Sequence, residues 1–165
     1  MRWIFLDKID ELVVGDLIEG IHTWDPDLEI FQDHFPTWPV VPGVLLMEAL
    51  AQLSGKLIGV TVREQRGDWP FPILSMMKKV KFRSFVLPGQ KVTLRAAFVS
   101  LRDESAQMRV SAWVDGKRKA SAEQTFVFNA DPIENPAERA ELEAVEGGEL
   151  ARLWADFDPD SWAAR

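Results

Sequence analysis

Two side chains that could exchange protons lie close together in the segment HFPTWPVVPGVLLMEALAQ, residues 34–52. His34 lies on a loop punctuated by prolines, and Glu48 lies within an apolar helix that Pro42 and Gly43 are predicted to open. An imidazole and a carboxylate held by two rigid elements around a dry groove suit general acid–base catalysis. The segment therefore predicts proton-transfer chemistry, although each residue also has a structural alternative.

The alternatives differ from residue to residue. Glu48 and Gln52 are one helical turn apart, so that the Gln52 amide can hydrogen-bond the carboxylate. Alternatively, Glu48 is exposed near a helix end and Gln52 is incidental. His34 by itself is more typical of a packed loop residue than of a catalyst, and His22, inside a predicted strand, is interpreted as structural.

Glycines mark the same helix at its start and within it. The free N–H groups at a helix start can hold a carbonyl oxygen that gains negative charge, and Gly43 would allow a ligand to approach closely. The alternative is a plain helix-start glycine. Gly55 and Gly59 are each unfavourable in a helix by about 1 kcal/mol, which predicts that another group packs closely there.

Composition narrows the chemistry. The chain has 165 residues, 47% of them hydrophobic, which fits one soluble domain with a real core. It has no cysteine and no tyrosine, and only two histidines. Thiol chemistry, disulfides and tyrosine acids are therefore excluded, and a histidine-rich metal site is disfavoured.

The longest apolar stretch, Val44–Val62, is long enough to cross a membrane. Glu48, Gln52 and Lys56 interrupt it, and charge at bilayer depth is costly, so a buried helix of a soluble protein is the better interpretation. The N-terminus MRWIFLDKID lacks the apolar core of a signal peptide. We therefore expect a cytoplasmic protein without a membrane span.

Charge divides the chain into a body and a tail. Residues 131–165 carry ten carboxylates against three arginines, which accounts for the whole net charge of −7. We interpret residues 1–130 as the main domain and 131–165 as an acidic extension, whose role is either to cover the basic stripe Lys79, Lys81 and Arg83 or to keep the protein soluble. Two short helices are predicted in it, over 137–145 and 149–155, with a break at Gly147-Gly148.

The body predicts an α+β fold. Strands are expected over 17–24, 73–82, 91–101, 107–114 and 117–128, with a tight hairpin turn at Asp115-Gly116. The one long helix is apolar nearly all round and must therefore be enclosed. An antiparallel sheet wrapped around a central helix satisfies both observations.

The segment 34–52 resembles the signature of the FabZ-type 3-hydroxyacyl-acyl-carrier-protein dehydratases, hotdog-fold enzymes with the pattern HFPG-x-P-x-x-PG-V-L-x-x-E-A-x-A-Q. The stretch LSMMKKVKFRSFVLPGQKVTL resembles the strands that follow in that family, and the resemblance covers roughly residues 1–130. It implies dehydration of a 3-hydroxyacyl thioester on acyl carrier protein in fatty-acid or a related acyl biosynthesis, a reaction that requires no metal or redox cofactor. A non-catalytic acyl-thioester-binding protein and a hotdog thioesterase are the alternatives.

The resemblance also implies roles for residues. His34 and Glu48 would be catalytic, and the Gly43 N–H would bind the thioester carbonyl, with Gln52 also at the substrate site. Glutamate rather than aspartate at position 48 favours the plain dehydratase over the dehydratase-isomerase. Thr37 departs from the usual glycine, which puts the position of His34 in question, and Trp38 either walls the acyl tunnel or fills a core gap.

The resemblance further implies partners. Lys79, Lys81 and Arg83 alternate on a predicted strand and could dock an acidic carrier protein; a solvated strand face is the alternative. Nucleic acid is disfavoured, because no recognised motif accompanies the charge. In the family the histidine and the acid meet from two subunits, so that we expect a homodimer, with a trimer of dimers as the larger assembly.

Overall fold

The computed structural model describes residues 3–128 and 135–163. In the described part, six strands form one antiparallel sheet in the order β1-β2-β4-β5-β6-β3. The strands are β1 (Lys8–Val13), β2 (Leu17–Thr23), β3 (Ile73–Phe82), β4 (Lys91–Leu101), β5 (Ser105–Val114) and β6 (Lys117–Val127). The helices are α1 (Ile30–Asp33), α2 (Gly43–Arg66), α3 (Pro136–Leu153) and α4 (Asp160–Ala163).

The sheet curves around α2, as the sequence predicts. The helix begins at Gly43, and it ends at Gly67, whose φ of 90° lies in the left-handed region that favours glycine. Its last residue, Arg66, lies four residues beyond the end of the apolar stretch Val44–Val62. Its most apolar window is 72% buried inside the protein, so that this long apolar helix is the core helix and not a membrane span.

The predicted strands agree with the observed ones to within two residues at either end. Asp115 and Gly116 have φ values of 48° and 72°, which fits the tight turn expected between β5 and β6. Close packing against the glycines of α2 is confirmed at Gly59, where an added Cβ would lie 2.0 Å from the Trp69 ring. Three elements, β1, α1 and α4, are absent from the sequence prediction.

The C-terminal region corrects one prediction. The break expected at Gly147-Gly148 is wrong, because α3 continues through both glycines. Leu150 and Leu153 are buried against the core, and this tertiary packing offsets the unfavourable helix propensity of two glycines. The predicted boundary between residues 130 and 131 lies outside the described residues.

Candidate active site

Glu48 lies half-buried on the second turn of α2, between two uncharged donors. The Gln52 amide donates to its Oε1 at 3.0 Å, as the one-turn spacing predicts. The Trp3 indole donates to the same oxygen at 3.2 Å. Trp3 is 45 positions away in the sequence, so that no local pattern reveals this partner.

Gln52 is held on both sides of its amide. Its Oε1 accepts from the backbone N–H of Phe5 at 2.8 Å, while its Nε2 donates to the Trp3 carbonyl at 3.3 Å as well as to Glu48. These bonds tie the N-terminal segment to α2. Gln52 therefore orients Glu48, and its amide groups already have partners within the protein.

His34 follows α1 and is also half-buried. Its Nδ1 lies 3.1 Å from the Val40 carbonyl, which can only accept, so that Nδ1 carries the proton in this contact. In the neutral ring the lone pair is then on Nε2, which is the form that a general base needs. The Phe35 ring stacks on the imidazole, with the ring centroids 4.6 Å apart.

Thr37 fits the loop beside His34 without left-handed backbone. The described non-glycine residues with positive φ are elsewhere, at Phe71, Lys79 and Asp115. The loop is closed by the Trp38 N–H to Phe35 carbonyl bond of 3.0 Å and by the Val40 N–H to His34 carbonyl bond of 3.0 Å. The loop thus holds His34 in place with a β-branched residue at position 37.

Gly43 has an additional reason to be glycine. A Cβ at this position would lie 2.7 Å from the Phe82 ring, so that the ring can pack there only if the side chain is absent. Among the described residues, no group accepts a hydrogen bond from the Gly43 N–H. This donor at the positive end of α2 is free to bind a ligand.

A cavity of about 490 Å³ runs along α2 beside Glu48. Its walls are largely apolar and include Trp69, Phe71 and Phe126. His34, Gly43 and Trp38 do not line it. Trp38 is half exposed and packs edge-to-face on Phe85, with the ring centroids 4.7 Å apart. One chain thus brings Glu48 and Gln52 together and leaves the His34 loop outside this cavity.

Three further cavity residues escaped the sequence prediction. Lys56 lies two turns after Glu48, and its ammonium contacts Glu146 at 2.6 Å and also Glu149, both on α3. Farther along α2, Arg63 contacts Glu143. The described part of the acidic tail therefore neutralises buried cations of α2 instead of covering the Lys79 strand. Separations of 80 to 93 positions leave no local signal for these pairs.

The basic residues of β3 share a second depression, of about 210 Å³. Lys79, Lys81 and Arg83 line it together with Arg109 and Arg118, which the sequence prediction missed. Lys79 also bonds Glu123 at 2.9 Å. That hydrogen bond, with the positive charges of Lys79, Arg109 and Lys78, holds the pKa of Glu123 below its usual range.

Solved structures of similar shape define the class of fold. The dehydratase heterocomplex ApeI:P from Xenorhabdus doucetiae matches with a TM-score of 0.62 and 13% identity, covering 86% of this chain and 90% of that one. A hypothetical thioesterase with coenzyme A from Streptococcus pneumoniae matches with a TM-score of 0.57 and 12% identity, over 73% and 83% of the two chains. The protein has the hotdog fold.

Sequence comparison gives the family. The FabA-like domain profile matches residues 2–123. The 3-hydroxyacyl-[acyl-carrier-protein] dehydratase FabZ of Streptococcus equi subsp. zooepidemicus is 43% identical over 125 residues, covering 76% of this chain and 86% of that protein. The FabZ of Lactococcus lactis subsp. cremoris is 37% identical over 126 residues, covering 76% and 85%. The chain belongs to the FabA-like family.

Proposed function

We propose that this protein dehydrates 3-hydroxyacyl chains carried on acyl carrier protein, giving the 2-enoyl thioesters used in fatty-acid biosynthesis. The observation that carries the proposal is Glu48, which is held by the neutral donors Gln52 and Trp3 on the wall of an apolar cavity. The FabZ relatives at 37–43% identity, which bear the name of this activity, support it.

Each step of the elimination has a suitable group. The Nε2 of His34 removes a proton from C2 of the thioester, and the electron pair forms the C2–C3 double bond. Protonated Glu48 gives its proton to the 3-hydroxyl, which leaves as water. The Gly43 N–H stabilises the thioester oxygen as it gains negative charge. Trp38, which packs on Phe85, is proposed to form an aromatic wall of the acyl site in the dimer.

A second copy of the chain completes this site. Neither His34 nor Gly43 lines the Glu48 cavity of its own chain, so that we assign both to the cavity of a partner. The edge strand β3 supports such a dimer, because it exposes Ile73, Met76, Met77, Val80 and Phe82. Unpaired apolar edges of this kind are unfavourable in solution, and pairing with a second copy would cover them.

Turnover tests the reaction. Incubation with 3-hydroxyacyl-carrier substrates should give the 2-enoyl product, detected by mass, and His34→Ala should remove this activity. Failure to turn over any chain length, or full activity of His34→Ala, would overturn the proposal. Release of free carrier thiol would instead indicate a thioesterase, and binding without product would indicate a non-catalytic acyl-binding protein.

Mixing inactive variants tests the shared site. His34→Ala and Glu48→Gln chains are co-expressed so that they pair at random, and half of the dimers then contain one chain of each variant. Each mixed dimer has one intact site of two, so that about a quarter of wild-type activity should return. A site contained within one chain would regain none. Light scattering on the wild-type protein separates a dimer from the trimer of dimers that we propose as the larger assembly.

We propose that Lys79, Lys81 and Arg83, with Arg109 and Arg118, dock the acidic carrier protein in the cytoplasm. The clustering of these five cations around one depression supports this role. Lys81→Glu should raise KM for the carrier-bound substrate roughly threefold, and less at high salt. KM for the same acyl chain on pantetheine should not change. Lys91→Glu on β4 is the matched charge reversal outside the cluster and should leave both KM values unchanged. Equal KM changes for both substrates would exclude docking.

A further inference from the structure

The cavity beside Glu48 has two chemically different ends. Glu48, Gln52 and Lys56 lie on successive turns of α2, and all three line it. From Glu48 to Lys56 the helix advances eight residues, which is about 12 Å at 1.5 Å per residue. The level of Glu48 carries the candidate acid. The level of Lys56 carries an ion cluster that the proposed reaction does not use.

The ion cluster lines the cavity at the Lys56 end. The Lys56 side chain is only 8% exposed, and it contacts one carboxylate from each of two successive turns of α3. Glu146 and Glu149 themselves line the cavity. An apolar chain end that reached this wall would displace water from the carboxylates and offer no hydrogen bond in exchange, which is unfavourable.

The tail helix holds this wall in place. Leu150 and Leu153 are fully buried, and Arg63 contacts Glu143 one turn before Glu146. The apolar contacts and the ion pairs hold α3 against the rest of the protein beside α2. The distal end of the cavity is thus made by a segment that follows the region matched by the FabA-like domain, which ends at residue 123.

We propose that Lys56, Glu146 and Glu149 form the distal wall of the acyl-chain site and limit the substrate to 3-hydroxyacyl chains of about ten carbons. This inference rests on the proposed dehydratase function. Of the 12 Å between the two levels, about 3.5 Å is needed for contact with the wall. The remainder holds roughly seven carbons beyond C3, since an extended chain advances about 1.25 Å per carbon with bonds near 1.5 Å.

The wild-type protein provides the first test. Across a series of 3-hydroxyacyl-carrier substrates, kcat/KM should stay within about tenfold from four to ten carbons and should fall roughly 100-fold by sixteen carbons. Equal turnover of the eight-carbon and sixteen-carbon substrates would overturn the length limit while leaving the dehydratase function intact.

Undocking α3 provides the second test. Leu150→Ser/Leu153→Ser should raise kcat/KM for the sixteen-carbon substrate at least tenfold, and change that for the eight-carbon substrate less than threefold. The matched control is Leu142→Ser/Val145→Ser, since these side chains are 39% and 62% exposed on the same helix. A folded Leu150→Ser/Leu153→Ser variant with the wild-type length profile would contradict the proposal.

Ligand binding decides the question without catalysis or variants. Trp3 and Trp69 line the cavity, so that saturated acyl-pantetheine thioesters should change tryptophan emission on binding. Ten-carbon chains should bind, and sixteen-carbon chains should bind at least tenfold more weakly. If no substrate is turned over but this binding limit is present, the length inference stands and the dehydratase function fails; equal binding of both chains overturns the inference.

Discussion

Along the cavity, the central helix carries a charged side chain at two levels, Glu48 and Lys56, and their partners differ. At the Glu48 level, the partners are the neutral donors Gln52 and Trp3. At the Lys56 level, the partners are the carboxylates Glu146 and Glu149. A carboxylate between neutral donors can exchange a proton without breaking an ion pair, whereas a lysine between two carboxylates forms ion pairs that hold two helices together. The first arrangement suits catalysis and the second suits structure.

The largest expected effect comes from Glu48→Gln. The amide keeps the shape of the side chain and can still accept hydrogen bonds, but it cannot deliver a proton. We expect kcat to fall by about 10²–10⁴-fold, the usual contribution of a general acid. The melting temperature should stay near that of the wild type. Retention of activity within a few-fold would show that Glu48 is not the general acid. The two levels would then no longer differ as a catalytic and a structural one.

Lys56→Met should have the opposite pattern to Glu48→Gln, with its main effect on stability. It leaves Glu146 and Glu149 side by side without their cation. Loss of one partner of a buried pair typically costs 3–5 kcal/mol; we expect about 2–3 kcal/mol in the free energy of unfolding, because these carboxylates are partly hydrated. Denaturant unfolding measures it.

Two controls sharpen the Lys56 prediction. Lys56→Met/Glu146→Gln/Glu149→Gln removes all three charges and should recover most of the lost stability, because no unpaired charge remains. Lys117→Met, at an exposed lysine of β6, should change stability by less than about 0.5 kcal/mol. Unchanged stability of Lys56→Met itself would show that the cluster does not hold α3.

Gln52→Leu tests the neutral donors at the Glu48 level. It removes the 3.0 Å bond to Glu48 and leaves the Phe5 N–H without its acceptor. We expect kcat to fall roughly tenfold, because an unoriented acid reacts more slowly, while KM changes less than about twofold. Gln65→Leu, at an exposed position on the same helix, is the matched control. A rise in KM with normal kcat would instead make Gln52 a substrate-binding residue.

Features that depend on neighbouring residues in the chain were predicted from the sequence. The start of α2 at Pro42-Gly43, the turn at Asp115-Gly116 and the Gln52–Glu48 bond depend on neighbours in the chain, and all three are confirmed. The strand β1 was missed because it is a largely exposed edge strand, in which a register shift between Ile9 and Glu11 disturbs the alternation.

Long-range contacts set the limit of prediction. The ion pairs of Lys56 join residues at least 90 positions apart, and the continuity of α3 through its glycines depends on that docking. No local pattern contains either fact. For the same reason the contact of Trp3 with Glu48 was missed. The distance between His34 and the Glu48 with which it is proposed to act depends on a second chain.

Trp3→Phe should give the smallest effect. The ring contact with Phe5, at a centroid distance of 5.0 Å, can remain, and only the 3.2 Å indole bond to Glu48 is removed. Because Trp3 is 57% exposed, water can replace the lost donor, and we expect kcat to fall about two- to threefold with unchanged stability. Trp113→Phe, which removes the indole bond to Ser111 on β5, should not change kcat. A tenfold loss of kcat in Trp3→Phe would mean that Trp3 orients Glu48 as strongly as Gln52 does. The orientation of Glu48 would then depend on both neutral donors and not on its helical neighbour alone.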